Sequence, residues 1–145
     1  MPRRPRASAP RHPDRASRES AARELGARGE QLAVEHYERL GFALVARNVR
    51  SRAGEIDLIA FDGRTLVFAE VKTTRAGDRA PATPAAALAR LDGRQRARIR
   101  RLASAWLCGP ARAGISAREL RLDAVGVVVD RDGRLIALEQ LESAW

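Results

Sequence analysis

The amino-acid sequence predicts an α/β domain in the order α-β-β-β-α-β-β, a mixed sheet with helices packed on it. Three observations predict it. A helical run ends at Gly41; three strand-like runs follow, with Asp62-Gly63 between the second and third; and a basic helical run precedes two strands around Asp132-Gly133. At 145 residues the chain suits one core rather than two.

Each element has its own reason. Residues 1–20 hold six arginines against two acids, with no apolar residue larger than alanine beyond Met1. Such a segment cannot bury enough surface to offset its ordering entropy, so 1–20 is expected to be a disordered basic tail and 21–145 a single domain. A helix is expected from about Ala21 or Gly26 to Leu40, stopped by Gly41 in a left-handed conformation. Strands are expected at Ala43–Arg50, Glu55–Phe61 and Thr65–Thr73, the last two forming a hairpin through Asp62-Gly63. Residues 75–89 carry Gly, Pro and Ala without a period and read as a loop. A basic helix from about Asp92 to Leu107 ends at Gly109-Pro110, and Leu120–Val129 and Arg134–Leu138 form the second hairpin.

Composition narrows the function. No run approaches the roughly 18 apolar residues of a membrane helix, so no membrane partner is expected. Cys108 is the lone cysteine, excluding an internal disulfide and a cysteine-cluster zinc site, and His12 and His36 are too few for a histidine-based metal site. No charged-then-apolar leader opens the chain, so a cytoplasmic location is expected. The formal charge is +9, of which the first 20 residues carry +4. Such a surface attracts polyanions, and nucleic acid is the expected partner. Among 27 basic residues only Lys72 is lysine. A lysine surviving where arginine serves every other position invites a chemical explanation.

The charged residues fall on particular faces. Ala33, Val34 and Tyr37 follow Glu30 at helical spacing, so Glu30 lies on the stripe that packs against the sheet and needs a partner there. With a two-residue Asp62-Gly63 loop, Phe61 faces Arg64, Glu55 faces Glu70 and Asp57 faces Phe68. Glu55, Asp57, Glu70 and Lys72 then share one face, and Ile56, Leu58, Val67, Ala69 and Val71 the other. Asp57 and Glu70 are diagonal neighbours, close enough to share an ion. Carboxylates so crowded repel unless a cation sits among them. Mg²⁺, or Mn²⁺, suits such oxygen ligands. Lys72 points at the same water shell, where it orients or helps deprotonate a metal-bound water, or stabilises transition-state charge. Arginine would do this poorly, being planar, diffuse and permanently charged. A salt-bridged, half-exposed strand face is the alternative reading of the same pattern.

The runs Gly54-Glu55-Ile56-Asp57-Leu58-Ile59-Ala60 and Leu66-Val67-Phe68-Ala69-Glu70-Val71-Lys72 resemble the PD-(D/E)XK signature of restriction-endonuclease-like nucleases, with Ile56 where the signature has proline. Together with Gly26-Ala27-Arg28-Gly29-Glu30-Gln31-Leu32-Ala33 they resemble more closely the YraN (UPF0102) family, over about residues 24–143. Archaeal Holliday-junction resolvases are similar in carrying a helix glutamate, an aspartate and then Glu-x-Lys. The resemblance implies a restriction-endonuclease-like mixed sheet, metal ligation by Asp57 and Glu70, a supporting metal or water contact from Glu30, and water activation by Lys72.

On the basic helix, Arg94, Arg98 and Arg101 form one stripe, while Ile99, Leu102 and Trp106 form another. Docking the apolar stripe on the sheet leaves the arginines outward for phosphates, or as a merely solvated face. Trp106, Cys108, Tyr37 and Phe61 read as packing residues. The expected function is metal-dependent endonucleolytic hydrolysis of DNA, of branched or structured DNA in one version. The alternatives are a non-catalytic nucleic-acid-binding or repair-complex protein on the same fold, and a small interaction protein whose charged hairpin is structural. A homodimer is a further candidate assembly.

Overall fold

In the computed structural model, which describes residues 14–77 and 82–144, helix α1 runs from Arg15 to Arg39 and so starts ahead of the expected boundary. The cause is a cap rather than a periodicity. The Asp14 side chain accepts the Ser17 N–H at 2.8 Å, and α1 buries nothing in its first ten residues. Residues 15–20 are therefore helix and not tail; the remainder of the expected tail, 1–13, lies outside the described residues. Further along, Leu32, Ala33, Val34 and Tyr37 are buried, on the face that the spacing assigned to them.

The elements that follow are β1 (Ala43–Ser51), β2 (Gly54–Phe61), β3 (Thr65–Arg75), α2 (Pro84–Leu88), α3 (Gly93–Cys108), a 3₁₀ turn at Pro110–Arg112, β4 (Glu119–Val129) and β5 (Leu135–Leu141). The strand and helix order is the expected one, with α2 added inside the segment read as a loop. Thr83 caps α2 and Pro84 opens it, a start signal too short to carry a visible period. Helix α3 begins with a reciprocal capping box between Asp92 and Gln95.

The five strands form one mixed sheet in the order β1-β2-β3-β4-β5. Only the β3–β4 pair is parallel, in register from Thr65 opposite Glu119 to Arg75 opposite Val129. Strand β3 is central and buried from Thr65 through Val71, as a strand covered on both faces should be. Helix α1 covers one face, packing Leu32, Ala33, Val34 and Tyr37 over Leu58, Val67, Ala69 and Val71 of β2 and β3 and Val125 and Val127 of β4. Helix α3 covers the other, where Leu102, Ala103 and Trp106 meet Ile56, Ile59, Leu66 and Phe68. Trp106 sets its ring edge-on to Phe68 at 5.6 Å, a packing role as expected. Cys108 is exposed at the end of α3.

Two details of the β2–β3 hairpin depart from expectation. The loop is longer than two residues: Phe61 pairs with Leu66 rather than facing Arg64. The Asp62 carboxylate accepts both the Arg64 and the Thr65 N–H, at 2.8 and 2.6 Å, and so turns the chain over Asp62–Thr65 with Gly63 at φ 94°. Leu58 then lies opposite Ala69, and continuing that register sets Asp57 opposite Glu70 instead of Phe68. Second, Ile56 joins the α3-side core while Leu58 joins the α1-side core. Strict alternation fails around Asp57, so the single charged face drawn from the sequence is broken there.

One glycine brings α1 close. A Cβ on Gly29 would overlap the Thr73 hydroxyl on β3, so the helix lies against the strand only because residue 29 has no side chain. Gly29→Ala is expected to destabilise the fold by about 1–3 kcal/mol, as overpacking of a tight core does. Urea unfolding of parent and variant measures it, and an unchanged midpoint would show that the helix can ride outward freely.

Candidate active site

The site forms where β2 and β3 part. Backbone pairing between them runs from Phe61 and Leu66 to Leu58 and Ala69. One step further the Asp57 carboxylate accepts the Val71 N–H at 2.8 Å, a side chain taking the place of a ladder carbonyl. This bond fixes Asp57 in the opening between the strands. Glu55 stands two residues earlier, next to Gly54, whose φ of 138° starts the strand in a conformation that side chains disfavour.

Glu30 arrives from α1. Because Gly29 sits against Thr73, the next residue is carried down to the sheet. One carboxylate oxygen each from Glu30, Glu55 and Asp57 lie within 4.8 Å of one another. Glu70 lies outside this triplet of closest oxygens. It is buried, and Lys72 Nζ pairs with its Oε1 at 3.0 Å. Glu55 also pairs with Arg50. The structure thus gathers Glu30, Asp57, Glu70 and Lys72 at one end of the sheet and adds Glu55 to the innermost group.

The electrostatics of the group follow from this crowding. Burial, and then the neighbouring Glu70, push the Asp57 carboxyl up to about 8, against the stabilising Val71 N–H. Glu30 is raised as well, first by burial, while the Asn48 side chain pulls it the other way and Glu55 adds to the rise. Without a cation the group therefore holds a proton it would lose in water. All its donors are carboxylate oxygens, half-buried or buried and mutually repelling. That donor set fits a hard divalent cation such as Mg²⁺ or Mn²⁺ and suits neither a soft metal nor a monovalent counter-ion. Glu30, Glu55 and Asp57 are the residues placed to hold it, with Glu70 beside them. A cavity of about 350 Å³ between α3 and the start of β4 contains none of these acids.

On α3, Arg94 and Arg101 are exposed, and Ile99, Leu102 and Trp106 are buried, as their stripes predict. Arg98 is not part of an outward stripe. It is half-buried, with its Cδ where a Cβ on Gly54 would come within 2.8 Å. The exposed arginines of this helix are Arg94, Arg96, Arg100 and Arg101.

The profile of the uncharacterised protein family UPF0102 matches residues 29–127. The chain belongs to this family. UPF0102 proteins from Symbiobacterium thermophilum and Mycobacterium ulcerans are 47% and 46% identical to it, covering 79% and 74% of this chain and 90% and 84% of their own lengths. A UPF0102 protein of Streptomyces griseus is 43% identical over 75% of this chain and 86% of its own. The UPF0102 match opens at Gly29 and takes in Glu30, Asp57, Glu70, Lys72 and all of α3. No helix of this UPF0102 member, among the described residues, is long and apolar enough to cross a membrane.

Two site residues escaped the reading of the sequence. Glu55 was seen on the acidic face but not as a ligand, because the ligand set followed the resemblance, which implies Asp57, Glu70 and Glu30. Asn48 lies in β1 at φ 50°, its side chain directed at Glu30. Its signal was compositional. It is the only asparagine of the chain, as Lys72 is the only lysine.

Proposed function

We propose that this protein is a metal-dependent endonuclease that hydrolyses phosphodiester bonds in DNA, on a restriction-endonuclease-like sheet related to that of PD-(D/E)XK nucleases. The observation that carries the proposal is the group itself: Glu30, Glu55 and Asp57 crowded within 4.8 Å, with Lys72 held beside them by Glu70. Arg50 pairs with Glu55 and Lys72 with Glu70, but Glu30 and Asp57 join no ion pair among the described residues. Asp57 is pushed up to about 8, a cost that a bound divalent cation would relieve without a proton.

A divalent cation bound there supplies charge neutralisation for the phosphoryl oxygens and makes water more acidic. The chain's own residues do the rest. Asp57 is anchored by Val71, so its free oxygen keeps one direction. Glu70, buried and fixed, sets the Lys72 amine where it can hydrogen-bond the attacking water and the phosphate oxygens. Glu30 closes the group from the helix side. Water would attack phosphorus as the bond to the leaving oxygen breaks. The proton lost by the water would pass to solvent through the hydrogen bonds Lys72 and the acids maintain, and the departing oxygen would take up a proton from solvent to leave as an alcohol. The outward arginines of α3 offer phosphate contacts beyond the site.

The test is direct. Incubation with linear, flapped and four-way DNA, with Mg²⁺ or Mn²⁺, is expected to give cleavage that stops on chelation and is lost in Asp57→Ala. An inert parent, or equal cutting by Asp57→Ala, would sink the reading.

A further inference from the structure

Among the described residues, two buried side-chain polar atoms have no hydrogen-bond partner: Nε of Arg75 and Nε of Arg98. Leaving a donor buried and unpaired costs a fold stability, so such atoms are rare and ask for a reason. Both belong to arginines, and both stand at the end of the sheet that holds the acids. Strand β2 starts there with Gly54, and β3, antiparallel to it, ends there with Arg75.

The two arginines approach from opposite faces. Arg98 comes from α3, its Cδ and Nε laid over the backbone of Gly54, the residue before Glu55. A Cβ on residue 54 would lie 2.8 Å from the Arg98 Cδ, so the glycine leaves that side chain its room. Arg75 lies two residues beyond Thr73 on β3, and Thr73 is the residue against which Gly29 of α1 packs. Alternation puts Arg75 on that same α1 face, beside the element that carries Glu30. From Lys72 to Arg75 the strand advances about 10 Å, at ~3.3 Å per residue.

Neither arginine joins an ion pair among the described residues. They stand at the same end of the sheet as the acids, half-buried, with their charge unspent in any ion pair among the described residues. A planar guanidinium in that position is suited to the forked oxygens of a phosphate. We infer that Arg98 and Arg75 bind backbone phosphates on the two sides of the acid group, so that the substrate is an internal phosphodiester of a nucleic-acid strand and not a chain end or a mononucleotide. The inference deepens the nuclease reading and rests on it for the bond that is cut. The grip on two flanking phosphates rests on the arginines alone.

The experiment uses Arg75→Met and Arg98→Met, which keep an apolar stem for packing and lose the donors. Binding of a short labelled DNA duplex is measured by anisotropy at several salt concentrations, with Ca²⁺ in place of Mg²⁺. Each substitution is expected to weaken binding about tenfold and to flatten the salt dependence by about 0.9, the value for one phosphate contact on duplex DNA. The melting midpoint of the free protein should hold or rise, because an unpaired buried donor has been removed. Weaker binding with an unlowered midpoint is the signature of a ligand-facing arginine. Parental affinity and slope in both variants would overturn the assignment, as would an affinity loss that merely follows a falling midpoint. Should either methionine variant fail to fold, Arg→Lys at the same position is expected to keep the slope and lose affinity; parental affinity in it would also overturn the assignment.

Cutting separates the two claims. A parent that binds DNA with this arginine dependence yet never cuts in Mg²⁺ or Mn²⁺ supports the phosphate grip and removes the nuclease reading. A parent that cuts while both methionine variants bind and cut as it does removes the grip and leaves the nuclease. Finally, a covalently closed circle should be nicked as readily as linear DNA; a requirement for a free end would overturn the internal-phosphodiester claim.

Discussion

Lys72→Arg is expected to slow DNA cleavage about 10²- to 10⁴-fold, the usual worth of a positioned proton-handling group, while the protein stays folded. The substitution keeps the charge and can keep a bond to Glu70, so neither folding nor the overall field should change much. What changes is shape. Lys72 is a compact amine, 18% exposed and held at 3.0 Å from the Glu70 carboxylate. A guanidinium is wider, spreads its charge over three nitrogens and holds its proton under all ordinary conditions. It cannot sit where the amine sits beside the attacking water. Single-turnover cleavage at saturating enzyme, compared with melting curves of both proteins, makes the measurement. Cutting at the parental rate would reduce the lone lysine to an accident of composition.

The second large effect concerns Asp57 and has opposite signs for activity and stability. Asp57→Asn keeps an oxygen for the Val71 N–H and removes a negative charge from the crowded group. Cleavage is expected to fall by at least ~10²-fold, since a ligand and its charge are lost together. Metal-free stability is expected to rise above the parent's near neutral pH. The sign follows from proton linkage. In the folded protein Asp57 is pushed up to about 8, mainly by burial and then by Glu70. Unfolded, it loses its proton near the ordinary aspartate value of about 3.9. Between those limits the folded state binds the extra proton, so the parent loses stability as pH rises from about 4 to about 8 and levels off above. The asparagine variant lacks that slope. Divalent cation acts against the same penalty in the parent: at a hundredfold excess over Kd it should stabilise by about 2.7 kcal/mol. Melting series across this pH range, with chelator and with Mn²⁺, test all three statements. A parent whose midpoint is flat in pH and indifferent to Mn²⁺ would show that the acids are neither coupled nor metal-binding.

These results bear on what a single sequence can reveal. The strand and helix order was legible because the buried faces of α1 and α3 keep helical periods and the strands end in Asp-Gly turns. The charged face of the site was legible as well, since Asp57, Glu70 and Lys72 lie within one hairpin, with Glu55 beside them though not singled out as a ligand. The register was not. Asp62 caps two successive N–H groups, and that preference enlarges the turn without any change in the dipeptide that announces it. The same parity survived, so Asp57 and Glu70 stayed neighbours although their pairing moved. The change of face at Ile56 was hidden for another reason: a side chain replaces a backbone acceptor at Asp57, and period counting assumes that backbone bonds alone steer the strand. The start of α1 was missed because its first turns bury nothing, leaving only the Asp14 cap as a signal. Arg98 looked outward by spacing, and only the bare backbone of Gly54 explains why it turns in.

The central position of β3 has a consequence beyond the site. Its segment Thr65–Val71 is buried throughout, and its parallel partner β4 begins only at Glu119. Whenever β4 is not in place, on a chain still being made or partly melted, β3 offers an open edge of β-branched and other apolar residues. Segments of that kind pair with copies of themselves and seed aggregates. Glu70 and Lys72 are the only charges between Thr65 and Thr74. Stacked in register with another copy they would set like charge against like, a barrier of the type that gatekeeper residues provide. Charges that serve chemistry in the finished protein thus also keep its most association-prone strand apart from its own kind while the fold is incomplete.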